Sequence, residues 1–335
     1  MAGKKNSKLK LLYLKDIFEK YSDEEHILNA NDIADLLLEY GIECERKSIY
    51  KDIDILIEYG MDIIKATKPK NGYFLASRDF EIAEIRLLSD AIQSAHFISR
   101  KKTVQLLKKT DSLLSVYQSE RLKKQVFIDK RNKCSNEEIF YNIDSLDNAI
   151  KLEKKVRLKY CRRKLDDKFA ALNEQREFVL SPYALVWSND HYYLVANNEK
   201  YDNLMNLRVD RIKKVEILDD NRRHFSQVST YKTGFDIADY VSKTFNMYTG
   251  KPEMTELKCK TEILEEMLDR FGEKVSIRRG EDGWFYVHDE LFVNDGLASW
   301  IMQFGDKIQV IYPEALKQII IEKAESISNM YTGRK

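Results

Sequence analysis

The residues best suited to chemistry lie in one short stretch near the middle of the chain. Arg208 and Arg211 flank Asp210 among apolar neighbours, and Tyr193 lies shortly before them. Guanidinium groups hold phosphates through paired N–H donors, and an aromatic ring can stack on a base. These residue types therefore predict a site for an anionic, base-containing ligand. Further candidate ligand-binding residues in the same stretch are Ser181, Tyr183 and His191.

A structural interpretation of the same residues stays open. Asp210 can pair with one arginine and hold the end of a β structure together, which would make the set structural. The ring of Tyr193 can equally belong to a hydrophobic core. For Arg208 and Arg211, both the ligand-binding and the structural interpretation are compatible with the sequence.

Catalysis is not indicated. His191, Asp210 and Ser181 are the residue types of a hydrolytic triad, but no nucleophile-elbow motif surrounds them. The sequence also contains no glycine-rich phosphate loop and no paired metal-ligand motif. We therefore expect a protein that is not an enzyme and that needs no cofactor and no metal.

The stretch from 176 to 218 alternates apolar with polar residues and is rich in aromatic and β-branched side chains, which is typical of short antiparallel strands. A polar hairpin connection is expected over 162–175. Five short strands around one core predict a small barrel of the Sm-like or SH3-like kind. The expected strands are 156–161, 176–180, 183–187, 191–196 and 213–218.

The N-terminal segment, 1–78, predicts three helices followed by a β-hairpin. Apolar residues at helical spacing mark a helix around 9–18, a second at 32–40 that Asn29 or Asn31 can cap, and a third at 45–59. Asn71 and Gly72 predict the turn between strands at 63–67 and 73–76. The candidate DNA-binding residues lie on the third helix and on the hairpin: Arg46, Lys47, Ser48, Tyr50, Lys51, Lys68 and Lys70.

Basic and hydroxyl side chains at the start of a helix suit major-groove reading, because arginine and lysine pair with phosphates or guanine edges. A solvated basic face is the ordinary explanation for Arg46, Lys47 and Lys51. The order of three helices and a hairpin favours DNA binding instead.

The remaining segments predict support structures. Helices at 79–92, 103–117 and 137–154 form a connector over 79–153, with Arg100, Lys101 and Lys102 between the first two. A connecting helix or lid is expected at 236–248. The order strand, helix, two strands, helix, strand over 256–335 is ferredoxin-like. The expected domains are 1–78, 79–153, 154–225 and 226–335.

Composition restricts the function classes. The 335 residues carry a formal net charge of +1 with 33% charged residues, so any nucleic-acid contact must come from local patches. Four cysteines without CxxC spacing are typical of free thiols in a reducing compartment. No apolar run of membrane length occurs, and we expect a soluble cytoplasmic protein without a membrane partner.

The N-terminal segment resembles the winged helix-turn-helix domain of bacterial regulators. The resemblance lies in Arg46, Lys47, Ser48, Ile49, Tyr50, Lys51, Asp52 and Ile53 of the third helix and in Gly72 and Tyr73 of the wing. Glu45 departs from the family, which usually has a serine cap there. A carboxylate at this position suits the helix dipole but repels a phosphate.

The middle of the chain resembles the WYL domain of bacterial regulators. The resemblance is carried by Pro182, Leu185, Tyr193, Leu194, Val195, Ala196, Arg208, Asp210, Arg211 and Ile212, with Arg222, Arg223, His224 and Phe225 following. Tyr192 replaces the tryptophan of the family name, and Asn206 replaces an upstream arginine. The resemblance implies a module that senses nucleotides or nucleic-acid fragments.

The C-terminal part resembles the extension that follows WYL domains, on Trp300, Phe304, Gly305 and Pro313. In that family the extension is associated with dimerisation. Together the resemblances imply an α+β multidomain regulator with a winged helix-turn-helix, a helical connector, an Sm-like/SH3-like barrel and a ferredoxin-like C-terminal domain. The implied partners are an operator in double-stranded DNA, a nucleotide or single-stranded ligand and a second copy, with a repressor favoured. The alternative is an accessory module or enzyme subunit that binds RNA or single-stranded DNA with the barrel.

Overall fold

The computed structural model describes residues 3–123, 133–165 and 171–333, with side chains from residue 8 and, in the third range, from 174. The chain divides into two compact units, Met1–Ser135 and Asn136–Lys335. Both contain helices and strands, as the α+β class predicts. The four cysteines, all of which lie in the described ranges, form no disulfide bond. No helix in the described ranges is both long enough and apolar enough to span a membrane.

The first unit begins with three helices around one core. Asn29 starts the second helix with a capping box: its side chain accepts the backbone N–H of Asp32, whose carboxylate accepts that of Asn29. The third helix buries Ile49, Ile53 and Leu56 on one face. The elements are α1 (Gly3–Tyr21), α2 (Ala30–Glu39), α3 (Arg46–Glu58), β1 (Ile63–Ala66), β2 (Gly72–Leu75), α4 (Ile82–Ser94), α5 (Arg100–Asp111) and α6 (Val116–Lys123).

The single helix expected at 103–117 is wrong, because the chain forms α5 and α6 instead. The side chain of Ser99 accepts the backbone N–H of Lys102, so α5 begins at Arg100 and includes the three basic residues that the sequence predicts to lie between helices. α5 ends at Asp111, and Ser115 begins the next helix by accepting the backbone N–H of Gln118. Local caps therefore override the continuous apolar pattern.

Strands β1 and β2 pair as an antiparallel hairpin, from Ile63 opposite Leu75 to Ala66 opposite Gly72. The hairpin is fixed to the start of α2 by two backbone hydrogen bonds between Leu28 and Tyr73. This close approach needs a glycine, because a Cβ at Gly72 would lie 2.4 Å from the carbonyl oxygen of Leu28.

We expect Gly72→Ala to destabilise the first unit by about 2 kcal/mol, the cost of forcing backbone apart in a packed region. The shift of the denaturant midpoint measures this loss. Gly234→Ala is the matched control, because nothing lies within 4 Å of a Cβ there. Equal effects of the two substitutions would contradict the role given to the Leu28 contact.

A buried carboxylate joins the three helices to the α5–α6 turn. Asp23 is 4% exposed, its Oδ2 accepts the hydroxyl of Ser115 at 2.5 Å, and its Oδ1 lies 2.6 Å from Nδ1 of His26. The imidazole of His26 stacks on the ring of Tyr117 with centroids 3.5 Å apart. Although burial favours the neutral acid, the hydrogen bonds from Ser115 and His26 hold the pKa of Asp23 below its usual 3.8.

The second unit opens with one helix and a five-stranded antiparallel sheet in the order β6-β5-β4-β3-β7. The helix, which we had assigned to the connector, belongs to this unit. The elements are α7 (Ile139–Lys151), β3 (Lys154–Leu165), β4 (Ala171–Ser188), β5 (His191–Asn197), β6 (Leu204–Arg208) and β7 (Ile212–Asn221).

Two expectations for this sheet were wrong. The strands expected at 176–180 and 183–187 are one strand, β4, whose register shifts between Pro182 and Ala184. The hairpin expected over 162–175 is mostly strand, since β3 and β4 stay paired as far as Leu165 and Ala171. Residues 166–170 of that expected connection lie outside the described residues. A bulge interrupts the register of β4 without ending the strand, so the two expected strands count as one. The sheet still has five strands because β6, which the sequence did not predict, is the fifth.

Helix α7 fixes the segment between β6 and β7. Leu146 and Ala149 on this helix are fully buried. The side-chain amides of Asn136 and Asn142 both donate to the carbonyl oxygen of Ile212, and Asn136 also donates to that of Asp210. The short 3-10 turn Val209–Arg211 is thereby held in one position.

The C-terminal part forms a four-stranded antiparallel sheet in the order β11-β8-β10-β9, with two of its helices inserted between strands. The connecting helix expected at 236–248 is only six residues long and ends at Ser242. Asn246 and Met247 adopt positive φ angles of 50° and 57°, which exclude a right-handed helix at the end of the expected range. The elements are α8 (Ile237–Ser242), β8 (Lys251–Lys260), α9 (Leu264–Phe271), β9 (Ser276–Arg279), β10 (Trp284–Val293), α10 (Asp295–Met302), β11 (Ile308–Tyr312) and α11 (Glu314–Thr332).

Candidate functional site

The start of α3 presents a basic surface. Arg46, Lys47, Tyr50 and Lys51 are exposed, whereas Ile49 on the opposite face is fully buried. Among the described residues, no carboxylate pairs with Arg46, Lys47 or Lys51. The backbone of Glu45 precedes the helix in an extended conformation, and its side chain makes no capping hydrogen bond. The N-terminal N–H groups of α3 are thus not occupied by a side-chain cap at Glu45.

Ser48 has a structural role as well as a place on this helix. Its hydroxyl accepts a hydrogen bond from the ammonium of Lys10, which is 7% exposed and also lies 2.6 Å from Oδ2 of Asp52. This contact ties α1 to α3. The half-buried Ser48 is therefore less available to DNA than the sequence suggested.

The two hairpin lysines differ in their environment. Lys68 is exposed, whereas the ammonium of Lys70 forms an ion pair with Asp32 at the start of α2. Exposed ion pairs of this kind contribute little free energy, so Lys70 can still exchange Asp32 for a phosphate. The ring of Tyr50 lies 6.1 Å from that of Tyr73, which places α3 beside the hairpin.

In the second unit, Arg208 and Asp210 form a bidentate ion pair. Nε of Arg208 donates to Oδ1 of Asp210 at 3.0 Å, and Nη2 donates to Oδ2 at 2.6 Å. Burial lowers the pKa of Arg208, but the hydrogen bonds to Asp210 and its negative charge outweigh this and raise the pKa above its ordinary value. The predicted pairing of Asp210 with one arginine is present. It fixes the plane of the guanidinium and leaves its other edge for a ligand.

The sheet brings Tyr193 to the same place. Tyr193 on β5 is directly opposite Arg208 on β6, and burial raises the pKa of its phenol. The imidazole of His191 lies 6.3 Å from the Tyr193 ring. Arg211 is exposed and has no carboxylate within ion-pair distance among the described residues. Four of the six predicted ligand residues thus lie near one another, either through the pairing of β5 with β6 or because they are close in the sequence.

Ser181 and Tyr183 do not belong with these four. The hydroxyl of Ser181, which is 0% exposed, accepts the backbone N–H of Arg223, and the phenol of Tyr183 donates to the carbonyl oxygen of Arg223. Burial raises the pKa of Tyr183 to about 12. Both side chains fix the segment after β7, and their assignment as ligand contacts stays a prediction.

The sequence reasoning missed Tyr160, which lies near Tyr193 and Arg208, and Arg162, which lies next to Tyr160. Tyr160 on β3 is 5% exposed and close enough to Tyr193 and Arg208 to affect their pKa values, and the guanidinium of Arg162 lies 5.8 Å from its ring. The alternation of Leu158, Tyr160 and Arg162 along one face of β3 was the available signal. An arginine-lined, aromatic surface with one carboxylate can hold an anion and stack a planar ring.

The WYL domain family matches residues 141–217, and the WCX domain family matches residues 254–328. Among solved structures, proteasome accessory factor B/C (PafBC) of Arthrobacter aurescens is similar at 16% identity with a TM-score of 0.28. That match covers 96% of this chain and 50% of PafBC, so the chain spans about half the length of that structure. No curated protein matches the chain.

The two matched families coincide with the two sheets of the second unit. Residues 141–217 include most of α7 and most of the sheet that carries Arg208, and residues 254–328 include most of the C-terminal sheet and most of α11. The expected WYL domain and C-terminal extension are both confirmed. The chain therefore contains a region that matches the WYL domain family, followed by a region that matches the WCX domain family.

Proposed function

We propose that this chain is a sequence-specific, DNA-binding transcriptional regulator, a repressor in the favoured form, whose WYL domain responds to a nucleotide or nucleic-acid ligand. The observation that carries the proposal is the exposed, basic start of α3 on a helix whose other face is buried. The first three helices and the hairpin then act as a winged helix-turn-helix. The protein performs no catalysis in this proposal.

In the DNA-bound state, Arg46 and Lys47 contact phosphates or guanine edges in the major groove, and Tyr50 and Lys51 extend the contact along the groove. Lys68 and Lys70 reach the backbone beside the hairpin. The net charge of +1 supports a local contact of this kind over general polycation binding. Two copies joined through the WCX domains would read two half-sites.

In the ligand-bound state, an anionic group binds between Arg211 and the free edge of Arg208. Asp210 holds Arg208 in place, so the guanidinium loses little conformational freedom on binding. A planar base stacks beside Tyr193, near Tyr160 and Arg162. The Sm-like barrel thereby serves as the sensor.

Selection of bound duplexes from a random pool tests the proposal. We expect the full chain to enrich one near-palindromic sequence and to bind it at physiological salt at least about 1,000-fold more tightly than unrelated duplex, the lower limit for specific recognition. Enrichment of nothing, together with tight binding of single strands that Arg208→Ala abolishes, would favour the accessory-module alternative.

The sensor makes a separate prediction. Arg211→Ala should weaken binding of a short oligonucleotide or nucleotide at the WYL domain about tenfold, the value of one charge-assisted contact. Isothermal titration of the full chain with a series of mononucleotides and single-stranded tetramers measures this loss.

Arg176→Ala is the matched control, because Arg176 is an exposed arginine of the same sheet that pairs with Glu174. Its substitution should leave binding unchanged. A ligand that binds Arg211→Ala as well as the natural chain would remove Arg211 from the site.

A further inference from the structure

The two faces of the C-terminal sheet differ in what covers them. Leu257, Cys259, Phe285 and Val287 are buried on the face that packs against the helices, in one cluster with Met267 of α9 and residues of α10 and α11. Because side chains alternate along a strand, the residues between these four lie on the opposite face. That opposite face has a different composition.

Two aromatic rings lie on the opposite face, at alternate positions of the central strand β10. Trp284 is directly opposite Lys260 of β8, and Tyr286 is directly opposite Lys258. Both rings are partly exposed. Tyr286 is also opposite Arg278 of the edge strand β9. The two central strands thus present two rings and two lysines in adjacent rows.

The cations lie against the rings. Nζ of Lys258 is 5.0 Å from the centroid of the Trp284 ring, and Nζ of Lys260 is 5.8 Å from it. The guanidinium of Arg278 lies 4.2 Å from the centroid of Tyr286 and extends its planar surface. Partners are already present for two of these cations, since Lys260 pairs with Asp306 and Arg278 with Glu256. Lys258 has no ion pair among the described residues.

The other end of this face is covered by the chain itself. Phe292 packs against Tyr240 of α8 with ring centroids 5.4 Å apart, and Glu290 pairs with Lys243 at 2.6 Å. The linker, which is the segment 226–250 that contains α8, therefore covers the far end of β10. At the other end of the strand, the rings of Trp284 and Tyr286 stay partly exposed. The accessible part of the face is the part that carries the rings and the cations.

We propose that this exposed end of the WCX sheet binds single-stranded RNA. Aromatic side chains on the central strands of a four-stranded sheet stack bases of single-stranded RNA, and guanidinium planes stack them as well. Lys258 and Lys260 then neutralise the phosphates that follow the stacked bases. Gln309, opposite Lys258 on β11 and exposed, brings a donor and an acceptor for a ribose 2′-hydroxyl to the same row.

This site is distinct from the arginine pair of the WYL domain, and the test separates the two. Binding of a fluorescent octamer of uridylate to the full chain is measured by anisotropy, in the natural protein and in Trp284→Ala, Tyr286→Ala and Lys258→Gln. We expect each ring substitution to weaken binding about tenfold, as the loss of one base-stacking contact does. Trp284→Phe, which keeps a stacking ring, should bind within about threefold of the natural chain.

Two controls make the outcome decisive. Tyr331→Ala removes an aromatic ring that is 87% exposed on α11 and should leave binding unchanged. The ring substitutions are also measured in a chain that carries Arg208→Ala and Arg211→Ala, so that any binding at the WYL domain is removed, and the tenfold loss should be the same there. Ultraviolet crosslinking followed by mass spectrometry should place the RNA on peptides that contain Trp284 or Tyr286.

Three results would overturn the proposal. The first is an octamer whose affinity does not respond to Trp284→Ala and Tyr286→Ala. The second is equal affinity for a deoxyuridylate octamer, because that octamer lacks the 2′-hydroxyl groups that the proposed site contacts. The third is a change from dimer to monomer on Trp284→Ala in sedimentation with unchanged RNA binding, which would assign the face to a second copy of the chain.

Discussion

The double substitution Arg46→Ala, Lys47→Ala should lower the affinity for the selected duplex about 100-fold, because each side chain supplies a contact worth roughly 1–3 kcal/mol at the groove. The slope of log affinity against log salt should fall by about two, since two phosphate-directed cations are lost. Competition binding at several salt concentrations measures both quantities.

Lys108→Ala, Lys109→Ala is the matched control. These lysines are also adjacent and exposed on a helix of the first unit, so the change in net charge is similar. A nonspecific electrostatic contribution would weaken binding equally in both variants. If the control loses as much affinity as the variant of α3, then α3 is not the recognition helix.

A second large effect is expected for stability. Asp23→Ala should destabilise the first unit by about 3 kcal/mol, because it leaves the buried Ser115 hydroxyl without its acceptor and removes the partner of the His26 imidazole. Chemical denaturation followed by circular dichroism measures the loss. Asp35→Ala, an exposed carboxylate on α2, should change stability by less than about 0.5 kcal/mol.

The same carboxylate predicts a pH dependence. The pKa of Asp23 is lower in the folded chain than its usual 3.8, so the unfolded state binds the proton more tightly. The stabilisation is therefore fully present above about pH 5, a unit above the unfolded pKa, and is lost as the pH falls through the folded pKa. Asp23→Ala should flatten this acid limb. An unchanged acid limb would show that other groups dominate it.

Sequence reasoning predicted the elements whose cause is local. Asn29, one of the two candidate caps for α2, accepts the backbone N–H of Asp32. The apolar periodicity of α3 correctly placed Ile49 and Ile53 inside. The spacing between Tyr193 and Arg208 was also informative, because β5 and β6 pair these two residues directly.

The errors share a physical cause, which is that long-range contacts replace the local pattern. No local feature predicted that the hydroxyl of Ser181 would accept the backbone N–H of Arg223, forty-two positions along the chain. The sequence predicted two strands, 176–180 and 183–187, because the bulge between Pro182 and Ala184 interrupts the pattern of the single strand β4. Tyr160 was missed because its proximity to Arg208 depends on the order of the sheet.

The cluster that covers the far end of β10 has a consequence for domain shuffling. Tyr240 donates a hydrogen bond to the side-chain oxygen of Asn206, the amide of Asn206 donates to the carbonyl oxygen of Met247, and Phe292 packs on Tyr240. The linker is thus part of the cores on both of its sides. A chimera that exchanges the WCX domain at any point of 226–250 would expose apolar surface on each parental half. The transferable cassette is the whole second unit, cut before Asn136.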